Sequence, residues 1–213
     1  MNIVHSLILL GGGGHAAVVA ETARAAGFVV LGYLDDRAPP AGSPDSPIAG
    51  FKRLGGIADL PRALTEHRHA FFHAAVDDNA LRAKWLDLPA PRGTPAIIHP
   101  SAIISPTAKI EEGVFVGPRA VINARALIKR GAIVNSAAIV EHDCILEPFS
   151  HCAPGSVLAG EVRVGAGAVV GEGAVVIQGV SIGDGATLGP GAVAIDDVSA
   201  KATANGVPAR PAG

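Results

Sequence analysis

Val164-Gly165-Ala166-Gly167-Ala168-Val169-Val170-Gly171-Glu172-Gly173-Ala174-Val175-Val176 carries a branched aliphatic residue at every sixth position, and that spacing decides the fold. Followed outward in sixes, the same register holds from Ile98 to Ala194. Its anchors are Ile98, Ile104, Ile110, Val116, Ile122, Ile128, Val134, Val140, Leu146, Cys152, Leu158, Val164, Val170, Val176, Ile182, Leu188 and Ala194. Fifteen of these seventeen are Ile, Val or Leu, and no insertion breaks the count. Four positions after the anchor the residue is usually small, as at Ala120, Ala126, Ala132, Ala138, Ser150, Ser156, Ala168, Ala174 and Ala186. Gly often follows the anchor directly, as at Gly117, Gly165, Gly171, Gly183 and Gly189.

A helix would show apolar spacings of three and four, and a half-buried strand would alternate by two. A period of six fits neither. It fits a triangular solenoid in which each hexad is a short strand plus a turn and three hexads close one coil. The branched anchor then fills the interior, the small residue fits the corner, and coils stack at ~4.8 Å through parallel ladders. A β-sandwich would need turn signals every ~8–12 residues and breaks in register, which are missing here. With no inserted loop, a functional site on this solenoid must be made from corner residues. A solenoid of this kind with flat apolar sides commonly trimerises, so a neighbouring subunit is expected to complete the site.

The remainder is a second domain. The only Trp (Trp85) and the only Tyr (Tyr33) precede residue 95, and the Pro-rich stretch 89–95 marks the junction. Domains are therefore expected over 1–92 and 96–213. Ser6–Leu10 reads as a buried strand, followed by Gly11-Gly12-Gly13-Gly14-His15-Ala16, a helix over Val18–Ala26 ended by Gly27, and a strand over Val29–Leu34. A glycine turn at a helix N-terminus favours phosphate, because free N–H groups and the helix dipole point at the anion. Gly11-x-Gly13-x-x-Ala16 matches a Rossmann fingerprint, with Asp35 about twenty residues on where a ribose-binding acid stands. One further strand, Phe71–Val76, and a helix near Asn79–Leu86 complete the reading. Half a Rossmann unit suits a nucleotide sugar better than a dinucleotide, so a nicotinamide-dependent oxidoreductase ranks behind a nucleotide-sugar protein.

Composition narrows the classes. Hydrophobic residues are 49% and charged residues 17% of 213, with a formal net charge of −2, so the chain is globular and neither nucleic acid nor an anionic membrane is an expected partner. The apolar opening is too short for a signal core or a membrane span, which leads to an expected cytoplasmic location. Cys144 and Cys152 have no metal-type spacing and read as packing residues, with a disulfide not expected.

Of eight histidines, His5, His67, His69 and His99 show no partner pattern, His73 falls in a strand, and His15 sits where it could cap the helix or touch phosphate. His142 and His151 interrupt the small-residue solenoid in Glu141-His142-Asp143-Cys144-Ile145-Leu146-Glu147-Pro148-Phe149-Ser150-His151. Nine residues is one and a half hexads, so the two cannot share a corner and do not make a zinc site. A histidine beside a carboxylate suits a general base, since the carboxylate raises basicity and orients the ring. Two polar residues at a solvated turn fit the spacing equally well.

The chain resembles the sialic-acid O-acetyltransferase/PglD-like family of hexapeptide-repeat sugar acetyltransferases over nearly its whole length. The likeness rests on Gly13-Gly14-His15, Leu34-Asp35-Asp36, Asp78-Asn79 with Arg82, Ile98-His99-Pro100-Ser101-Ala102, and Val121-Ile122-Asn123-Ala124. It continues through Asn135, Glu141-His142-Asp143, Phe149-Ser150-His151, Ala159-Gly160 and Gly206-Val207-Pro208-Ala209. The resemblance implies a small Rossmann-like α/β domain followed by a left-handed parallel β-helix, assembled as a homotrimer with sites between subunits. It implies that His142 is the general base, Asp143 the residue raising its basicity, and Gly160 the oxyanion donor. It also implies that His151, Gly171 and Gly189 contact acetyl-CoA. Gly13, Gly14, His15, Asp35 and Asp36 would hold the nucleotide sugar, with Asn135 near its amine, and no metal takes part. This chain carries Asp77 where relatives often carry Gly, and Asp143 where members acting on UDP-sugars often carry Glu. In this it resembles members acting on GDP-perosamine at least as much. The expected activity is acetyl transfer from acetyl-CoA to the 4-amino group of a GDP- or UDP-linked 4-amino-4,6-dideoxyhexose, without an acyl-enzyme. O-acetylation of sialic acid or another sugar hydroxyl, and a non-catalytic sugar-nucleotide-binding solenoid, are the competing readings.

Overall fold

The structure, a computed structural model, describes residues 5–37 and 50–212, which form two compact units, 1–97 and 98–213. The first unit is a four-stranded parallel sheet with helices between its strands. In chain order it contains β1 (Ser6–Leu10), α1 (Gly14–Ala25), β2 (Val29–Leu34), β3 (Arg53–Gly55), α2 (Leu60–Glu66), β4 (Ala70–Ala74) and α3 (Asn79–Leu86). The sheet order is β3-β2-β1-β4. Leu7, Ile8, Leu9 and Leu10 of the central strand are fully buried, as an apolar run covered on both faces requires.

The observed elements differ from the sequence expectation at several points. Helix α1 begins at Gly14 rather than Val18, with Gly13 as an extended N-cap, so the glycine turn is shorter and His15 lies in the first helical turn. Strand β3 and helix α2 were not foreseen. Each is short, three and seven residues, and the single turn of apolar spacing in α2 (Leu60, Ala63, Leu64) is too brief to mark a helix in the sequence. Residues 93–97 belong to the first unit: Thr94 is buried and the Pro95 carbonyl lies 3.2 Å from His73 Nδ1, so the Pro-rich stretch packs within that unit.

In the second unit the hexads take the form expected of them. From Ile97–Ile98 to Val193–Ala194, seventeen two-residue strands each end on an anchor, and they fall into three parallel sheets that close a left-handed β-helix. Strands pair with those eighteen residues away, as in Leu127↔Ile145 and Ile133↔His151. From Val116 to Leu188 every anchor is within 1% of full burial, and Ala120, Ala126, Ala132, Ala138, Ala168, Ala174 and Ala186 are buried completely at the corners. Each buried branched side chain contributes about 1.5–3 kcal/mol, so the core is a continuous aliphatic stack.

A second periodic signal lies three residues after the anchor. Every corner from Gly113 to Gly191 has positive φ there, taken by Gly at some positions and by Arg119, Arg125, Ala137, Asp143, Phe149 and Glu161 at others. The Gly that directly follows an anchor has another cause. A Cβ on Gly117 would sit 2.7 Å from Ser136 N, and one on Gly171 would meet Leu188 O and Pro190 N at 2.7 Å, so the coil above leaves no room for a side chain. The solenoid closes with Thr203–Asn205, which pairs in parallel with Thr187–Leu188 and in antiparallel with Arg210–Pro211, the Gly206–Ala209 motif turning between them.

Leu158 is fully buried at the middle of the stack. Leu158→Ala is expected to lower the unfolding free energy by about 2–5 kcal/mol, measured by denaturant titration of the β-helix circular dichroism.

Candidate active site

The His142 corner, residues 141–144, turns between strands Ile139–Val140 and Ile145–Leu146. Asp143 occupies the left-handed position of this corner, φ 60°, a setting that short polar side chains tolerate better than bulky ones. From there its carboxylate reaches His142, with Nδ1 to Oδ2 at 2.8 Å. A charged acceptor on Nδ1 holds the imidazole proton on that nitrogen and leaves the Nε2 lone pair free. The His142 side chain is 46% exposed, so a substrate can reach it.

Stacking by eighteen supplies two further members of the site. Gly160 lies one coil above His142. A Cβ built there would come within 2.5 Å of His142 Cε1 and 2.6 Å of Nε2, so the imidazole lies against bare backbone that only glycine leaves open. Among the described residues the Gly160 N–H donates to no protein acceptor, while its carbonyl accepts from Gly179 N at 3.0 Å. Arg125 lies one coil below Asp143 and was missed in the sequence. Its guanidinium grips the carboxylate at both oxygens, Nε to Oδ1 and Nη2 to Oδ2, each at 2.7 Å. Those two hydrogen bonds first, and the one from His142 second, hold the Asp143 carboxyl well below the usual carboxylate range. The available signal was the opposite charge at i and i+18, a spacing also used by Glu112–Arg130 and Lys129–Glu147.

Asn135 and His151 form a second group. Asn135 Nδ2 lies 3.2 Å from His151 Nε2, and Asn135 Oδ1 accepts from Ser136 N. Asn135, Gly171 and Gly189 start turns of the same column, one corner earlier in each coil than the His142 column. A single chain therefore brings His142, Asp143 and Gly160 together, and separately Asn135 with His151 and the two glycines. Cys144 and Cys152 are free and buried. Burial pushes the Cys144 thiol up to about 11 and raises Cys152 as well, so neither is a ready thiolate.

In the first unit, Gly13, Gly14, His15, Asp35 and Asp36 line one pocket of about 630 Å³, together with Arg37, Asp77, Asp78, Lys84 and Trp85. The four glycines divide the work. Gly11 has φ 111°, a Cβ there would meet the Ala75 carbonyl oxygen at 2.7 Å, and one on Gly12 would meet the Tyr33 ring at 2.7 Å. A Cβ on Gly14 would meet nothing within 4 Å and one on Gly13 only Arg37 at 3.5 Å, so these two face open space. Asp35 Oδ2 accepts from Gly12 N at 2.7 Å and Oδ1 from Arg37 N at 2.7 Å, which fixes the turn. Burial opposes its charge, but hydrogen bonds from Arg37 and Gly12 prevail and hold the carboxyl below its ordinary value. Asp36 Oδ1 accepts from Ile57 N, and Asp78 caps α3 through Leu81 N. Buried Arg82 braces the same loop through the carbonyls of Val76 and Asp77 and through Asn79. Burial lowers the pKa of both His15 and His73 to about 4, so both are neutral at pH 7. Among the described residues no group of three or more His, Cys, Asp or Glu side chains is placed to hold a metal, and no helix is long and apolar enough to cross a membrane.

Known proteins resemble this chain over nearly its whole length. The PglD N-terminal domain model matches residues 6–88. A histidine-to-asparagine variant of perosamine N-acetyltransferase from Caulobacter crescentus, solved with CoA and GDP-perosamine, is 38% identical, with TM-score 0.90 over 99% of this chain and 98% of that one. The acetyltransferase domain of PglB from Neisseria gonorrhoeae, solved with acetyl coenzyme A, is 37% identical with TM-score 0.89 over 98% and 100%. WeeI from Acinetobacter baumannii, 22% identical with TM-score 0.78 over 98% and 100%, shares the fold. Among curated proteins none matches by sequence. Fold and site together define an acetyl-CoA-dependent sugar N-acetyltransferase of the hexapeptide-repeat kind. The chain belongs to the PglD-like family of these enzymes.

Two tests follow from the geometry. Gly160→Ala is expected to displace the imidazole and lower kcat roughly ten- to a hundredfold, with little change in melting temperature because a half-exposed ring can move aside. For His15 and His73 the folded pKa, about 4, lies below the unfolded value of 6.5, so the unfolded chain binds more protons between these values. Their contribution to stability is complete above pH 6.5 and is lost as pH falls towards 4, by about 3 kcal/mol for fully buried His73. Denaturant midpoints followed by the fluorescence of Trp85, the only tryptophan, should decline through that window, and less so in His73→Gln.

Proposed function

We propose that the enzyme transfers acetyl from acetyl-CoA to the 4-amino group of a nucleotide-linked 4-amino-4,6-dideoxyhexose, with His142 as general base. The observation that carries this is the His142–Asp143 pair, Nδ1 bonded to a carboxylate and Nε2 open beside Gly160. The neutral sugar amine attacks the thioester carbonyl, and a C–N bond forms as the carbonyl oxygen takes up charge. His142 Nε2 accepts the amine proton, the C–S bond breaks, and the imidazolium returns the proton to the departing thiolate. The products are the acetamido sugar and CoA with a free thiol. Gly160 N–H, which has no acceptor among the described residues, is suited to the oxyanion, where one such donor is worth roughly 10²–10³ in rate. No acyl-enzyme takes part, because both cysteines are buried and held as thiols.

The pocket of the first unit suits the nucleotide. Gly13 and Gly14 offer open backbone at the start of α1, His15 can donate a neutral N–H, and Trp85 presents a ring. GDP-linked substrates have the support of the Caulobacter enzyme, which was solved with GDP-perosamine in histidine variants. In our reading His151, Gly171 and Gly189 lie along the acetyl-CoA and Asn135 near the sugar amine. These belong to a different corner column from His142, which favours a homotrimer whose sites combine two subunits. We place the enzyme in the cytoplasm, where its two free cysteines remain reduced.

Thiol release from acetyl-CoA should occur with GDP-perosamine and not with sialic acid as acceptor. His142→Ala should lower kcat about 10²–10⁴-fold while calorimetric binding of acetyl-CoA persists. Near-full turnover by that variant at neutral pH would end the base assignment, and preferential reaction with sialic acid would end the amine assignment.

A further inference from the structure

The bidentate grip of Arg125 on Asp143 fixes the carboxylate that in turn holds the His142 ring, with Nδ1 to Oδ2 at 2.8 Å. Glu141, Asp143 and Cys144 share its corner, Arg125 reaches up from the coil below, and Gly160 and Glu161 lie above, with Glu161 N bonded to the His142 carbonyl and Glu161 Oε1 bonded to Gln178. Arg125 is the cation the structure places on the Asp143 carboxylate.

We infer that Arg125 is a positioning residue for the acetyl transfer, one that orients Asp143 and, through it, the His142 ring. Two features of the geometry carry this. The planar guanidinium fork meets both carboxylate oxygens, which fixes the carboxylate plane as a point-charge ammonium would not. Oδ2 is also shared, accepting from Arg125 Nη2 at 2.7 Å and from His142 Nδ1 at 2.8 Å, so the cation draws on the same oxygen that holds the imidazole proton.

This inference rests on His142 being the base, and the test keeps the two apart. Values of kcat and KM are measured for the wild type, Arg125→Gln and Arg125→Lys, alongside His142→Ala as the reference for loss of the base. Melting temperatures confirm that each variant is folded, as expected for a side chain that is 64% exposed. Arg125→Gln should lower kcat roughly tenfold with KM for both substrates little changed. Arg125→Lys keeps the charge without the fork, so kcat should be only partly recovered. An unchanged kcat in Arg125→Gln would overturn the inference. So would an equal loss of kcat in both variants, or a loss carried by KM instead of kcat, which marks a purely structural contact. If His142→Ala itself retained turnover, the base assignment would fall, whatever Arg125 does.

Discussion

Parallel strands three hexads apart hydrogen-bond to one another, so each residue of the solenoid lies over the one eighteen positions earlier. That stacking is the constraint on which the rest of the second unit depends. It needs an apolar anchor at every sixth position to fill the interior and, at most corners, a small residue to let the chain turn. Where the next coil presses on the backbone, as above Gly117 and Gly171, no side chain fits. Deviations from the repeat are costly in such a stack, so polar residues that persist inside it point to function.

The proposed active site is built from the same constraint. A solenoid with no inserted loop has only its corners to present side chains, and stacked corners form columns. His142 and Asp143 on one coil, Gly160 above and Arg125 below belong to a single column. The neighbouring column carries Asn135, Gly171 and Gly189. Local geometry within a column is therefore rigid, with the carboxylate clamped from below and the imidazole resting on bare backbone. Preorganisation of this kind suits a reaction in which the protein moves one proton and stabilises one oxyanion.

How much of this the sequence revealed follows from which interactions are local. The anchor register was legible to the residue, because each branched side chain answers to the same interior. The left hand was not, since period six is silent on chirality, and it came with the family likeness. In the first unit the glycine turn and α3 could be read, while β3 and α2 were too short to leave a pattern. The Asp143–His142 bond was suggested by adjacency. Arg125 and the packing role of Gly160 were not, because contacts between coils appear only at a spacing of eighteen, and a count by sixes does not pair those residues. Asp35 was expected beside a ribose. In the structure its oxygens hold Gly12 and Arg37, contacts visible only once β1 and β2 are paired.

The central claim is that the His142 ring donates Nδ1–H to Asp143 and leaves Nε2 open to accept a proton. Long-range ¹H–¹⁵N correlation spectra of protein labelled with ¹⁵N-histidine, with His142 assigned by its absence in His142→Gln, read this directly. For the neutral ring the account predicts a protonated Nδ1 and an unprotonated Nε2. An Nε2–H tautomer would contradict it.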